Sequence, residues 1–168
     1  LAMARSDPRF LDPAYPDAWD RLIADFKFNA RVELAAPLAQ RLRAAIERDA
    51  HPLPQWVLPV PLAPQRLAGR GHSQAWELAR RLARSLGCRA DAELLARPLA
   101  GAHQAELGLA QRRQNLKGAF VPNPRRRVSL QGQHVAVVDD VMTSGATLRE
   151  AAAALRRGGA ARVDAWVL

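Results

Sequence analysis

The chain has 168 residues, a length that suits one compact domain with at most a small appendage. Apolar residues make up 49% of it, enough for a core without staples, and the single cysteine, Cys88, excludes an intrachain disulfide and a multi-cysteine zinc site within these residues. The formal charge of +9 comes almost wholly from arginine, since Lys27 and Lys117 are the only lysines. That balance favours polyanionic partners, nucleic acid or phosphorylated small molecules, although an arginine-biased solvated surface accounts for it equally well. No apolar run approaches the roughly 18 residues that span a bilayer, and "LAMARSDPRF" lacks the apolar centre of a signal peptide. Cytoplasm is the default location, with no membrane partner.

In chain order, Pro8 and Pro13 mark residues 1–14 as a flexible segment. Trp19, Leu22, Ile23 and Phe26 then recur at helical spacing. A second helix places Leu34, Leu38, Leu42 and Ile46 on one face, with Pro37 near its first turn, where the missing amide proton does no harm. "HPLPQ" breaks the chain before "WVLPVPL", a short apolar strand ending in prolines. Ser73 can cap the next helix, whose Ala75, Leu78, Ala79, Leu82 and Leu86 face inward until Gly87 stops it. Cys88, just beyond, reads as an inert packing residue.

"DAELLARPLA" is a weaker strand followed by loop. "GLAQRRQNLKGAF" reads as a short basic helix or turn leading into an extended piece, and "VPNPRRR" as a surface loop. "QHVAVVDD" is the clearest buried strand, "TLREAAAALRRGG" a helix closed by Gly158 and Gly159, and "ARVDAWVL" a final strand. Alternation of strand and helix after Gln55 predicts a parallel sheet wrapped by helices. Trp19, Phe26 and Phe28 sit at core spacings, Trp56 and Trp166 belong to strands, and aromatics do not interleave with basic residues, which counts against a base-stacking surface.

One string carries chemistry. In "VAVVDDVMTSGAT", Val135 to Thr147, two carboxylates close an apolar strand and a hydroxyl- and glycine-bearing turn opens a helix. In a parallel sheet, ligands bind beyond the carboxyl ends of the strands. Alternation sends Asp139 and Asp140 to different sides, so they need not repel at contact distance. One can accept hydrogen bonds from a ligand's hydroxyl pair, while the other steadies the loop or orients a hydrated Mg²⁺. Gly145 frees the turn to present backbone amides as a phosphate cradle, with Thr143, Ser144, Ala146 and Thr147 around it. Either half alone has a plainer explanation, since aspartates start turns and threonines cap helices; together they suit a sugar phosphate.

The same thirteen residues resemble the phosphoribosyl pyrophosphate (PRPP) signature of type I phosphoribosyltransferases. Other segments are similar to one branch, the ComF family of competence-associated proteins. "LPVPLAPQRLAGRGHSQAWELA" resembles that family's first strand and following loop, with Ser73 standing where an asparagine is usual and Gln74 kept. "HQAELGLAQRRQNLKGAF" resembles its Gln, Leu, Arg and Asn pattern, and "RLIADFKFNARVELAAPLA" its N-terminal helix. The similarity covers roughly Tyr15 to Leu168.

The resemblance implies a type I phosphoribosyltransferase fold over 15–168: a twisted parallel sheet flanked by helices, with a small helical N-terminal cap. Family members commonly begin with a four-cysteine zinc module, of which these residues carry no trace, so docking through that module is not part of the expectation. The loop Pro61 to Gly71 would cradle pyrophosphate, with Arg66 and Arg70 as charge partners. His103 to Asn115 falls where related enzymes carry a mobile loop, offering Gln104, Arg112, Arg113 and Asn115 as contacts; a lone His103 without an orienting partner makes a poor general base. Asp139 and Asp140 would hold the ribose and Mg²⁺ would arrive on PRPP. Two activities are compatible with this: phosphoribosyl transfer with release of pyrophosphate, or a non-catalytic accessory role in DNA uptake beside a helicase-like ATPase and single-stranded DNA. The acceptor is not legible.

Overall fold

The computed structural model describes residues 2–5, 21–26, 31–49, 51–62, 72–98, 118–140 and 144–168. Its centre is a five-stranded, all-parallel sheet in the order β1-β7-β6-β2-β3. Those strands are β1 (Ala2–Arg5), β2 (Trp56–Pro59), β3 (Arg89–Ala90), β6 (His134–Asp139) and β7 (Arg162–Val167). β4 (Leu95–Ala96) and β5 (Val121–Pro122) pair antiparallel as a separate two-stranded unit. The helices are α1 (Ala35–Arg48), α2 (Gln74–Leu86), which crosses from β2 to β3, and α3 (Ala146–Arg157), which crosses from β6 to β7. Residues 21–26 are also helical, and Val32–Leu34 form a 3-10 turn leading into α1.

The central strands are mostly apolar because both faces are covered, as parallel sheets require, with His134 and Asp164 the buried polar exceptions. Alternation along them splits the core in two. Trp56, Leu58, Val60, Val135, Val137, Val163, Ala165 and Val167 pack with Leu148, Ala151, Ala152 and Leu155 of α3, and with Leu94, Leu95 and Phe120 near the small hairpin. Val57, Ala136, Val138 and Trp166 meet α1 and α2 through Leu38, Leu42, Ile46, Leu78 and Leu82, joined by Phe26. The helix predicted around Leu38, Leu42 and Ile46 is thus one of two helices laid over a sheet face, with Pro37 in its first turn as its sequence demands.

α2 begins and ends where expected. The Ser73 hydroxyl accepts from the Trp76 N–H at 3.2 Å, and Gly87 closes the helix at φ 71°, a left-handed conformation that a Cβ would strain. Cys88 packs against the α1/α2 side of the core, where burial pushes its thiol pKa up and keeps it protonated.

Three local expectations change. Within the segment expected to be flexible, Ala2–Arg5 form a strand, paired from Ala2↔Asp164 to Arg5↔Val167; "AMAR" has no β-forming residue, so its extension comes from the open backbone edge of β7. Arg89–Ala90 join the sheet beside Trp56 and Val57, a strand too short for periodicity to reveal. Val121–Pro122, read as loop, pair with Leu95 and Ala96, and the loop proper is the turn after them, where Arg126 N donates to the Asn123 carbonyl.

Candidate functional site at the carboxyl edge of the sheet

β6 delivers the acidic pair to the carboxyl edge of the sheet, between the ends of β2 and β7. Val138 lies opposite Pro59, the Val60 N–H donates to the Val138 carbonyl at 2.8 Å, and Asp139 lies opposite Val167. Pro61 and Leu62, which open the loop expected to cradle pyrophosphate, therefore leave the sheet next to the strand that ends in the two aspartates. Parity places Asp139 on the face of Val135 and Val137, the one that α3 covers. Both carboxylates are half-buried. Asp139 Oδ1 accepts from the N–H of the next residue, Asp140, at 3.0 Å, where the chain bends just past the strand. No described residue donates to the Asp140 carboxylate, whereas one Asp139 oxygen is engaged by the next amide.

Past residues 141–143, the chain re-enters the described structure at Ser144, which is exposed. Gly145 is the N-cap of α3 at φ 68°, ψ 4°, and among the described residues no side chain caps the helix. Its left-handed backbone followed by right-handed helix is the geometry in which successive N–H groups line a concave, anion-sized nest. The Ala146 N–H makes only a long 3.4 Å contact to Ser144 Oγ. Ala146 and Thr147 form the start of α3, and Thr147 does not cap it. The partial positive charge of the twelve-residue helix is thus directed at the turn beside the acids.

The structure brings together Asp139, Asp140, Ser144, Gly145, Ala146 and Thr147. Thr143, Arg66, Arg70, His103, Gln104, Arg112, Arg113 and Asn115 lie outside the described residues. Two residues were missed by sequence reasoning. Arg149 donates from Nη2 to the Ser144 carbonyl at 2.9 Å and from its backbone N–H to the Gly145 carbonyl at 2.9 Å. Glu150 accepts from the Gly118 N–H at 2.9 Å and from Arg157 Nη2 at 3.0 Å, fastening the start of 118–122 to α3. Arg149 had a signal available, since a cation in the first turn of a helix opposes the dipole and calls for a local reason. Glu150 had none, because its partner is 32 residues away.

Residues 72–168 match the phosphoribosyl transferase domain family. The DNA utilization protein YhgH of Salmonella typhi is 37% identical over 170 residues, spanning 91% of this chain and 73% of the relative. Competence protein F of Haemophilus influenzae is 36% identical over 152 residues, spanning 88% of this chain and 66% of the relative. The chain is a phosphoribosyltransferase-type domain of the ComF family. Among solved structures, glutamine PRPP amidotransferase from B. subtilis, complexed with ADP and GMP, aligns with this ComF-family domain at a TM-score of 0.52 and 18% identity. That alignment covers 80% of this chain and 26% of the other, and it speaks for the fold alone. The family match encloses the acidic strand end and the turn after it. Among the described residues, no helix is long and apolar enough to cross a membrane.

Proposed function

We propose that this domain binds PRPP, or a closely related sugar phosphate, across the carboxyl edge of its sheet and transfers the phosphoribosyl group with release of pyrophosphate. A single arrangement carries this reading: a strand ending in Asp139, followed directly by Asp140, and shortly after them in the chain a left-handed Gly145 that opens the positive end of α3. The Asp140 carboxylate accepts hydrogen bonds from the ribose hydroxyl pair, while Asp139 keeps the turn bent. The 5′-phosphate rests on the amides of the turn, with Thr143, Ser144, Gly145, Ala146 and Thr147 around it.

Arg66 and Arg70 neutralise the pyrophosphate, and Gln104, Arg112 and Asn115 are further contacts. As the acceptor's lone pair forms a bond to the anomeric carbon, the C–O bond to pyrophosphate breaks and its electron pair leaves with that group. The acceptor's proton passes to solvent. The two aspartates favour the positive charge that develops on the sugar ring, a contribution that is electrostatic rather than covalent.

The donor set fits Mg²⁺. Among the described residues no cluster of three or more His, Cys, Asp or Glu could cage a metal, and Mg²⁺ needs only one or two carboxylates when phosphate oxygens and waters complete its octahedron. Asp139 and Asp140 are the residues that would hold it, through water. When bound with PRPP it would supply charge neutralisation for the leaving group.

Calorimetric titration of PRPP with Mg²⁺, followed by an assay for pyrophosphate release with candidate bases and amines, tests the proposal. Saturable binding with release is expected. No binding at millimolar PRPP would remove it.

A second reading keeps the pocket without turnover: an accessory factor in DNA uptake, beside a helicase-like ATPase and single-stranded DNA. The names of the relatives, DNA utilization protein and competence protein F, favour it. Binding of PRPP without pyrophosphate release from any acceptor would select this reading over the first.

A further inference from the structure

The turn that opens α3 is tied to the helix by one residue, Arg149. Its backbone N–H holds the Gly145 carbonyl and its guanidinium holds the Ser144 carbonyl, both at 2.9 Å. In a trans peptide a carbonyl and the following N–H point in opposite directions, and the described chain has no cis peptide. Drawing the carbonyls of Ser144 and Gly145 toward the body of α3 therefore turns the N–H groups of Gly145 and Ala146 away from it. The backbone bond is ordinary helix closure that any residue could make. The guanidinium bond belongs to arginine, because it must reach back five residues, past the first turn.

Electrostatics supply an independent reason to look at this side chain. A cation in the first turn of a helix sits against the positive end of the dipole. Here no acidic residue occupies that turn, and among the described residues no carboxylate pairs with the exposed Arg149. Some helical arginines do have such partners, as Arg43 has Glu47 at 2.8 Å, while among the described residues the exposed Arg84 and Arg156 also pair with no carboxylate; what sets Arg149 apart is its place at the start of the helix. An anion seated on the turn would relieve both the dipole and the guanidinium at once.

We propose that Arg149 is a positioning residue for the terminal phosphate of the sugar phosphate: it sets the Ser144–Gly145 peptide so that the Gly145 N–H faces the anion, and adds positive charge behind the nest. The assignment rests on the reading above and concerns the phosphate end of the ligand, not the pyrophosphate end.

Its test uses the full chain and three probes: PRPP with Mg²⁺, ribose 5-phosphate and inorganic pyrophosphate. Arg149→Met should weaken ribose 5-phosphate and PRPP by about tenfold or more, the size of one hydrogen bond to a charged group. Pyrophosphate affinity should be unchanged. Arg149→Lys, which keeps a charge and a donor, should recover part of the loss. The Gly145 amide resonance of Arg149→Met should shift in the absence of any ligand, while the unfolding temperature stays close to that of the parent. A parent chain that binds ribose 5-phosphate and an Arg149→Met variant that binds it equally well would overturn the assignment alone. A parent that binds neither ribose 5-phosphate nor PRPP would instead overturn the functional reading on which it rests.

Discussion

At the scale of single residues, the two neighbouring aspartates have different environments although they are the same amino acid. Asp139 has an oxygen engaged by the next amide, whereas Asp140, one step beyond the strand, has a half-buried carboxylate to which no described residue donates. Replacing both by asparagine removes the charge that ribose hydroxyls would meet and leaves the half-buried volumes unchanged. Asp139→Asn with Asp140→Asn should lower PRPP affinity by about a hundredfold or more, as two charge-assisted contacts of 1.5–3 kcal/mol each imply. Circular dichroism should show the fold retained; unchanged affinity in calorimetry would contradict the hydroxyl assignment.

Gly145 poses a backbone question. At φ 68° a side chain costs about 1–2 kcal/mol, and a β-branched one more. Gly145→Val should therefore weaken phosphate binding well beyond Ser144→Thr, which keeps the hydroxyl at an exposed position. Equal dissociation constants for the two variants would count against an amide nest. Both the pair of acids and the glycine were legible in the string "VVDDVMTSGAT", because a strand end, a turn and a helix start each have local residue preferences. For Arg149 only the unfavourable place of a cation near a helix start was legible; its partner was not, since only the folded turn brings a guanidinium to a carbonyl five residues earlier.

At the scale of elements, α2 shows how much a helix states about itself. Ser73, Gly87 and the apolar stripe from Ala75 to Leu86 all read correctly from spacing. Hidden in that pattern is an ion cluster: Arg80 Nε donates to Glu77 at 3.0 Å and Arg81 adds a second, shorter contact to the same oxygen. Burial alone would raise the Glu77 carboxyl, but the hydrogen bonds and charges of Arg80 and Arg81 outweigh it and hold the pKa below the ordinary value. A carboxylate whose folded pKa is depressed stabilises the fold above its unfolded pKa, about 4.3, and loses that contribution as pH falls through the folded value. Glu77→Gln should thus cost about 1 kcal/mol at neutral pH, with the gap to the parent narrowing below about pH 4. Urea melts at neutral and acid pH measure it, and a gap that stays constant with pH would refute the cluster's role.

The shortest elements were the least legible. β1, β3 and β5 have two to four residues each, at most two cycles of a strand's alternation and too few to establish a pattern. Their extended form is imposed by the strands beside them. The buried pair His134 and Asp164, with the half-buried Arg162, at the amino end of β6 and β7 is of the same kind. His134 Nε2 lies 2.8 Å from Asp164 Oδ2, a contact between residues 30 apart that no short-range spacing announces, and Arg162 Nε donates to Asp164 Oδ1 at 3.0 Å from two positions along the same strand.

At the scale of the whole molecule, the excess of arginine remains open to two uses. Some of it is internal bookkeeping of charge: Arg126 is drawn onto the nearly buried Asp91, and Arg89 stacks over Trp56 with its guanidinium 4.4 Å from the ring. Arg125 and Arg127, on the same turn as Arg126, are exposed. If the accessory role holds, single-stranded oligonucleotides should bind at low ionic strength and the logarithm of affinity should fall linearly with that of salt, with a slope of several units. Binding indifferent to salt, or absent at low ionic strength, would leave the charge as surface composition.

What the amino-acid order determined by itself was local: strand against helix, the caps of α2, the acidic strand end and the glycine turn, because each depends on contacts within a few residues. The tertiary structure alone decided which strands are neighbours, the splitting of the core into an α3 side and an α1/α2 side, and the placing of Val60 and Val167 around Asp139. Those outcomes depend on pairing between backbones far apart in the chain, where every strand offers the same N–H and C=O groups and only the burial of whole faces selects the partner.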